Sequence, residues 1–167
     1  MHRERRLGKG RPSFIFALAL LGWLPFFVGL LSICKKGTRL DLLLMADIPV
    51  SGAVFMLTYA AIALSFLGGI TWGHTMIRRW MAPDSLWPDK ILYVWSLLIH
   101  WAGWFSLLLG PRSIAFIWLG VCYVAQWVVD FRLSRWEEIP VWFGQVRSVF
   151  SPVAIFSLFL VGYLLKI

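Results

Sequence analysis

Charged residues are absent from five stretches of the chain, 14–33, 52–76, 91–109, 114–129 and 149–165, and every Asp, Glu, Lys and Arg lies between or outside them. In water this segregation would leave more apolar surface than the protein could bury. In a bilayer it is the expected pattern, because a helix of about 20 residues rising about 1.5 Å per residue spans a hydrocarbon core of about 30 Å. The pattern therefore predicts an all-α polytopic membrane protein: a five-transmembrane-helix bundle in one domain covering 1–167. The longest connections, 34–51 and 130–148, are too short for a soluble catalytic or nucleic-acid-binding domain.

Local chemistry marks the boundaries. Pro83 and Pro88 break the chain between the second and third spans, where Asp89 is positioned to cap a helix. Gly110-Pro111 predicts a tight turn, and Ser151-Pro152 reads as a cap followed by proline at a first helical position. Pro25 falls inside the first span, where it should kink the helix or loosen its hydrogen bonding. Two connections read as segments lying flat in the interface, 40–48 and 140–150. In the second, Trp142, Phe143, Val146 and Val149 share one helical face, with Gln145, Arg147 and Ser148 elsewhere. Trp80, Trp87, Trp136 and Trp142 suit an aromatic belt at the headgroup level, with Trp136, Trp142, Phe143 and Arg147 as interfacial anchors.

Composition agrees with the pattern: 60% of the 167 residues are hydrophobic and eleven are tryptophan. The net charge of +8 would point to nucleic acid in a soluble protein. Here the basic residues flank apolar spans, so anionic lipid headgroups are the expected partners and nucleic acid is not. With the N-terminus inside, the inner segments carry eleven Lys and Arg, among them Arg3, Arg5, Arg78, Arg79, Arg132 and Arg147, and the outer segments five. That asymmetry predicts N-inside, C-outside, against the dissent of Lys35, Lys36 and Arg39. The basic N-terminus mimics a signal peptide, but the apolar run is too long and lacks a small-x-small site, so an uncleaved first helix is expected. Cys34 and Cys122 should lie at different depths and stay unbridged.

The second span holds the densest pattern. Ala61, Ser65, Gly69 and Gly73 recur every four residues and form a small-residue ridge for close helix packing. His74 follows it. His100 sits near the middle of the third span, where a titratable group is costly and often functional; Ser96, His100 and Trp104 share its four-residue spacing. Cys122, Gln126 and Asp130 step by four down the fourth span. His74, Arg78, Gln126, Asp130 and Arg132 should thus gather at one end of the bundle as a polar knot. It would be a structural clasp or, alternatively, a proton path or ligand site, with Asp130 paired to Arg78 or Arg132. No cofactor or metal is expected. His74 and His100 differ in depth by about 10 Å at 1.5 Å per residue, unsuited to a shared haem. No CxxCH, HxxxH or ExxH spacing occurs, and no GxSxG context supports serine catalysis.

The run Ser65-Phe66-Leu67-Gly68-Gly69-Ile70-Thr71-Trp72-Gly73 resembles the SFLGGI-x-WG signature of a family of small membrane proteins of unknown function. That family occurs in proteobacteria and includes the mitochondrial transmembrane protein 69. Thr71 stands where the family often has His or Arg. Gln126 with Asp130 resembles the family's Q-x-x-x-D, and Pro140, Trp142, Phe143 and Arg147 its P-x-W-[YF]-x-x-x-R. The resemblance implies a bacterial cytoplasmic or mitochondrial inner membrane and supplies no activity. The expected role is a non-catalytic accessory or assembly subunit docking to a larger membrane protein complex. A small transporter or channel-like protein is the alternative, and a membrane redox or lipid-modifying enzyme a third.

Overall fold

The computed structural model describes residues 13–34, 51–81, 88–135, 139 and 141–166. They form six helical segments: α1 (Ser13–Leu21), α2 (Leu24–Cys34), α3 (Gly52–Met81), α4 (Asp89–Leu108), α5 (Ser113–Arg135) and α6 (Val141–Leu164). No strand occurs among the described residues. The first two segments are halves of one apolar rod, so the architecture is a bundle of five rods. Four helices are long and apolar enough to cross a membrane, and Ala19–Cys34 is a shorter apolar helix. The surface is apolar where a soluble protein would be polar: Leu98, Trp101, Trp104, Leu108, Val121 and Phe156 are all exposed. That is the surface of an integral membrane protein, solvated by acyl chains.

The first rod breaks at Gly22-Trp23 instead of running through 14–33. Pro25 has no amide to offer the Leu21 carbonyl, and its ring crowds that carbonyl, so the helix stops and restarts. The Gly22 and Trp23 amides close tight turns onto the Ala19 and Leu20 carbonyls at 2.9 and 3.0 Å. Tyr59 on α3 donates its hydroxyl to the Gly22 carbonyl at 2.9 Å, satisfying an acceptor that the break exposes.

Three expectations are corrected. The helices outrun the charge-free stretches: α3 continues to Met81 and α5 to Arg135, because absence of charge marks hydrocarbon, not helix ends. The segment 140–150 does not lie flat apart from the last span. It is the first part of α6, which passes through Pro152 without stopping, so Ser151-Pro152 is no helix start. Val146 is buried and Gln145 exposed as that face implies, but Arg147 is buried and Val149 exposed, which a flat amphipathic segment does not explain. Pro88 occupies the cap position of α4 and Asp89 its first turn, so Asp89 does not cap by its side chain. Gly110 does make the turn into α5, with φ of 68°, in the left-handed region that favours glycine. Cys34 and Cys122 are both free. The flat segment read for 40–48, Pro83 and the belt residues Trp87 and Trp136 lie outside the described residues, as does the side chain of Trp80.

Consecutive helices pair as hairpins, α3 with α4 and α5 with α6, and α2 packs on α3. One core cluster runs through the bundle around Met56, Leu64, Phe116, Leu119, Leu158 and Val161. A smaller one, Leu92, Leu133 and Ile139, closes the end where both hairpins turn. Glycines set the closest approaches, as expected where lipid offers helices little hydrophobic drive and backbone contact must supply it. A Cβ at Gly68 would stand 2.9 Å from the Ser96 carbonyl, and one at Gly103 2.9 Å from the Ala61 carbonyl.

Candidate functional site

A buried hydrogen-bond network joins all four long helices. Gln126 on α5, fully buried, is its hub. Trp95 on α4 donates its indole N–H to Gln126 Oε1 at 2.8 Å. Because an indole only donates, this fixes the amide's orientation and turns Nε2 towards acceptors. Nε2 donates to Thr71 Oγ1 on α3 at 3.2 Å and to Asp130 Oδ1 at 2.9 Å. The other carboxylate oxygen, Oδ2, accepts from Nε of Arg147 on α6 at 2.8 Å. Thr71 in turn donates to the Leu67 carbonyl at 3.3 Å. In hydrocarbon a carboxylate persists only when paired and further hydrogen-bonded, and Asp130 meets that condition here, accepting from both Arg147 and Gln126.

The network regroups the residues singled out in the sequence. Gln126 and Asp130 meet as expected, one turn apart on α5. The cation on Asp130 is Arg147, not Arg78 or Arg132. Arg78 instead pairs with Asp89 at 2.5 Å, clasping the α3–α4 hairpin. Arg132 is exposed on the far side of α5. His74 is half-buried on α3, between Thr71 and Arg78 in sequence. His100 does not join the core: it is exposed on the outer side of α4. Ser96, its expected neighbour in function, turns inward and donates to the Gly68 carbonyl. Thr71 and Trp95 were missed by sequence reasoning. The legible signal for Thr71 is its register with the buried Leu64, Gly68 and Thr75 on one face of α3; Trp95 carries none, being one tryptophan among eleven.

The small-residue ridge divides in two. Ala61 is buried, and Ser65 lies against α4, its Oγ 3.0 Å from where a Cβ on Gly103 would stand. Gly69 and Gly73, expected to pack on another helix of the bundle, meet nothing within 4 Å of an added Cβ. They lie with Ile62, Phe66 and Met76 on the outer stripe of α3. Beside them Trp72 meets Tyr93 edge to face at 4.8 Å across the α3–α4 seam, and His100 stands two turns along α4 from Tyr93. The interfacial residues Trp142 and Phe143 are half-buried and meet edge to face at 6.1 Å.

Between the broken first rod, α3 and α6 lies a cavity of about 450 Å³. Its walls are almost wholly apolar. Phe26 and Tyr123 line it from the core, and Phe66, 68% exposed, stands at its outer edge. Arg147 and Ser151 are the polar residues of its α6 lining.

A family model described as a protein of unknown function, DUF3429, matches residues 11–163. No curated protein and no solved structure matches the chain.

Proposed function

The chain belongs to the DUF3429 family, and we propose that it is a non-catalytic accessory or assembly subunit that docks to a larger membrane protein complex through the outer face of the α3–α4 hairpin. The observation that carries this reading is the contrast between neighbouring glycines. Gly68 is filled by α4, whereas Gly69 and Gly73 are bare. A glycine inside a helix costs about 1 kcal/mol relative to alanine, and these two gain no contact within the chain in return. A partner helix approaching to backbone contact supplies that return. His100 supports the same face independently. It is exposed at the middle of α4, where lipid offers no hydrogen-bond partner and a polar group on a neighbouring helix does. The occupant proposed is therefore a transmembrane helix bearing a hydrogen-bonding side chain at mid-membrane.

The resemblance to the family that includes transmembrane protein 69 supports a bacterial cytoplasmic or mitochondrial inner membrane as the location. The Lys and Arg count supports an inside N-terminus, with anionic headgroups along the inner connections.

The test uses the full chain in its native membrane. A photocrosslinking residue at Gly73 is expected to join a transmembrane segment of another protein, and one at Val121 on α5 is not. Gly69→Leu should leave the isolated protein folded, since open space receives the side chain, and abolish recovery of that partner at fixed ratio. Crosslinks at Gly73 to lipid alone, or undiminished recovery with Gly69→Leu, overturn the docking face.

A further inference from the structure

We propose that the cavity between the broken first rod, α3 and α6 binds a neutral, lipid-soluble molecule by a carbonyl oxygen, held by Arg147 and Ser151. Three observations converge on this pocket. Its volume, about 450 Å³, falls within the range of about 300–1,000 Å³ typical of small-molecule sites, and apolar walls with a few polar atoms are the usual lining of such sites. It is also the place where two buried donors have no acceptor. Nη2 of Arg147 and Oγ of Ser151 are both buried without a hydrogen-bond partner among the described residues, and both residues line the cavity. They are four apart on α6, hence on one face, about 6 Å apart along the axis at 1.5 Å per residue.

Ser151 differs from four other hydroxyls of these helices. Ser65, Thr71, Thr75 and Ser157 each donate to the carbonyl one turn back in their own helix. That is the ordinary resting place of a hydroxyl in a membrane helix. The Ser151 hydroxyl makes no such bond, and Ser151 is among the residues that line the cavity. Arg147 is held in the same orientation from behind: Nε is committed to Asp130, which Gln126 positions. A guanidinium carries five N–H donors in a rigid fork, so fixing Nε aims the rest of the fork.

Charge decides the class of ligand. Arg147 is the one charged residue among those lining the cavity, and its charge is already balanced by Asp130 at 2.8 Å. An anionic headgroup would add a second negative charge in a low-dielectric site with no cation left to answer it. A neutral acceptor, such as a ketone, quinone or ester carbonyl, accepts both hydrogen bonds without that cost. The rim residues Phe66, Ile70 and Trp142 are apolar, so the cavity opens towards lipid, the phase in which such a molecule travels. Two sources share this chemistry: the ester carbonyl of a bilayer lipid and the ring carbonyl of a membrane quinone.

The experiment reconstitutes the full chain in bilayers of ether-linked phosphatidylcholine, which has no carbonyl. The probe is an alkylbenzophenone, itself a neutral ketone on an apolar body, crosslinked by light and mapped by mass spectrometry. Labelling is expected on cavity residues such as Phe66, Ile70 and Phe143. Ser151→Ala should reduce it about fivefold, the equivalent of one hydrogen bond, and Ala63→Trp, which fills the cavity, should abolish it; both variants leave Arg147 on Asp130. Displacement by a decyl benzoquinone identifies a quinone site, and displacement by ester-linked phosphatidylethanolamine a bilayer-lipid site. Labelling spread over the outer surface, labelling unchanged in both variants, or displacement by palmitate and by neither neutral compound overturns the proposal.

Discussion

Each of the two hairpins is closed by an arginine–aspartate pair, and the two pairs differ in depth. Arg78 on α3 meets Asp89 at the first residue of α4, and Asp89 keeps 28% of its side chain exposed. In the second hairpin the order of charges is reversed. Asp130 on α5 meets Arg147 on α6, and the Asp130 side chain is only 5% exposed. Asp130 lies five residues before the end of α5, about 7 Å deeper along the helix at 1.5 Å per residue. In the shallow pair Asp89, at the helix end, is the partner open to water or headgroups, while the Arg78 side chain is 5% exposed. The deep pair has no such outlet, and Gln126, Trp95 and Thr71 are gathered around it. Depth, not the pairing itself, determines how much supporting structure a buried charge requires.

The largest expected effect breaks the deep pair. Asp130→Leu leaves Arg147 charged and buried and should cost about 3–5 kcal/mol, read as a fall in the denaturation midpoint of the reconstituted protein. The double variant Asp130→Leu with Arg147→Met removes both charges and should recover most of that loss. A double variant no more stable than the single would mean that the pair is not the coupled unit described. Next comes the hub, which has no counterpart at the shallow clasp. Gln126→Leu strands the Trp95 N–H and one acceptor of Asp130, for an expected cost of about 1–3 kcal/mol. The same measurement reads it, together with a change in Trp95 emission. The smallest effect belongs to the shallow pair. Asp89→Asn keeps a hydrogen-bonding group beside Arg78 and should cost about 1 kcal/mol or less. If Asp89→Asn were as damaging as Asp130→Leu, depth would not be the deciding variable.

Much of this was legible before any coordinates. Charge-free runs located the five apolar rods, because hydrocarbon excludes unpaired charge wherever the chain runs through it. The four-residue steps of Gln126 and Asp130 put them on one face of one helix, since spacing within a helix is a local property. The ridge from Ala61 to Gly73 was legible in the same way, but not its division. A helix turns about 100° per residue, and which sector meets a neighbour depends on how the neighbour is tilted.

The partners were the part that sequence could not supply. From sequence, Arg147 belongs to a flat interfacial segment, because Ser151-Pro152 reads as the start of a new helix. Only packing of α6 against α5 carried the helix through Pro152 and turned Arg147 onto Asp130. His100, at the middle of a span, invited a place in the core, yet the rotation of α4 sends Ser96 inward to Gly68 and leaves His100 outside. The sequence by itself determined what must be in the membrane and which groups there need partners, because solvation free energy acts on each residue where it stands. The tertiary structure alone decided which partner each one has, because pairing across helices depends on the relative rotation and depth of elements far apart in the chain.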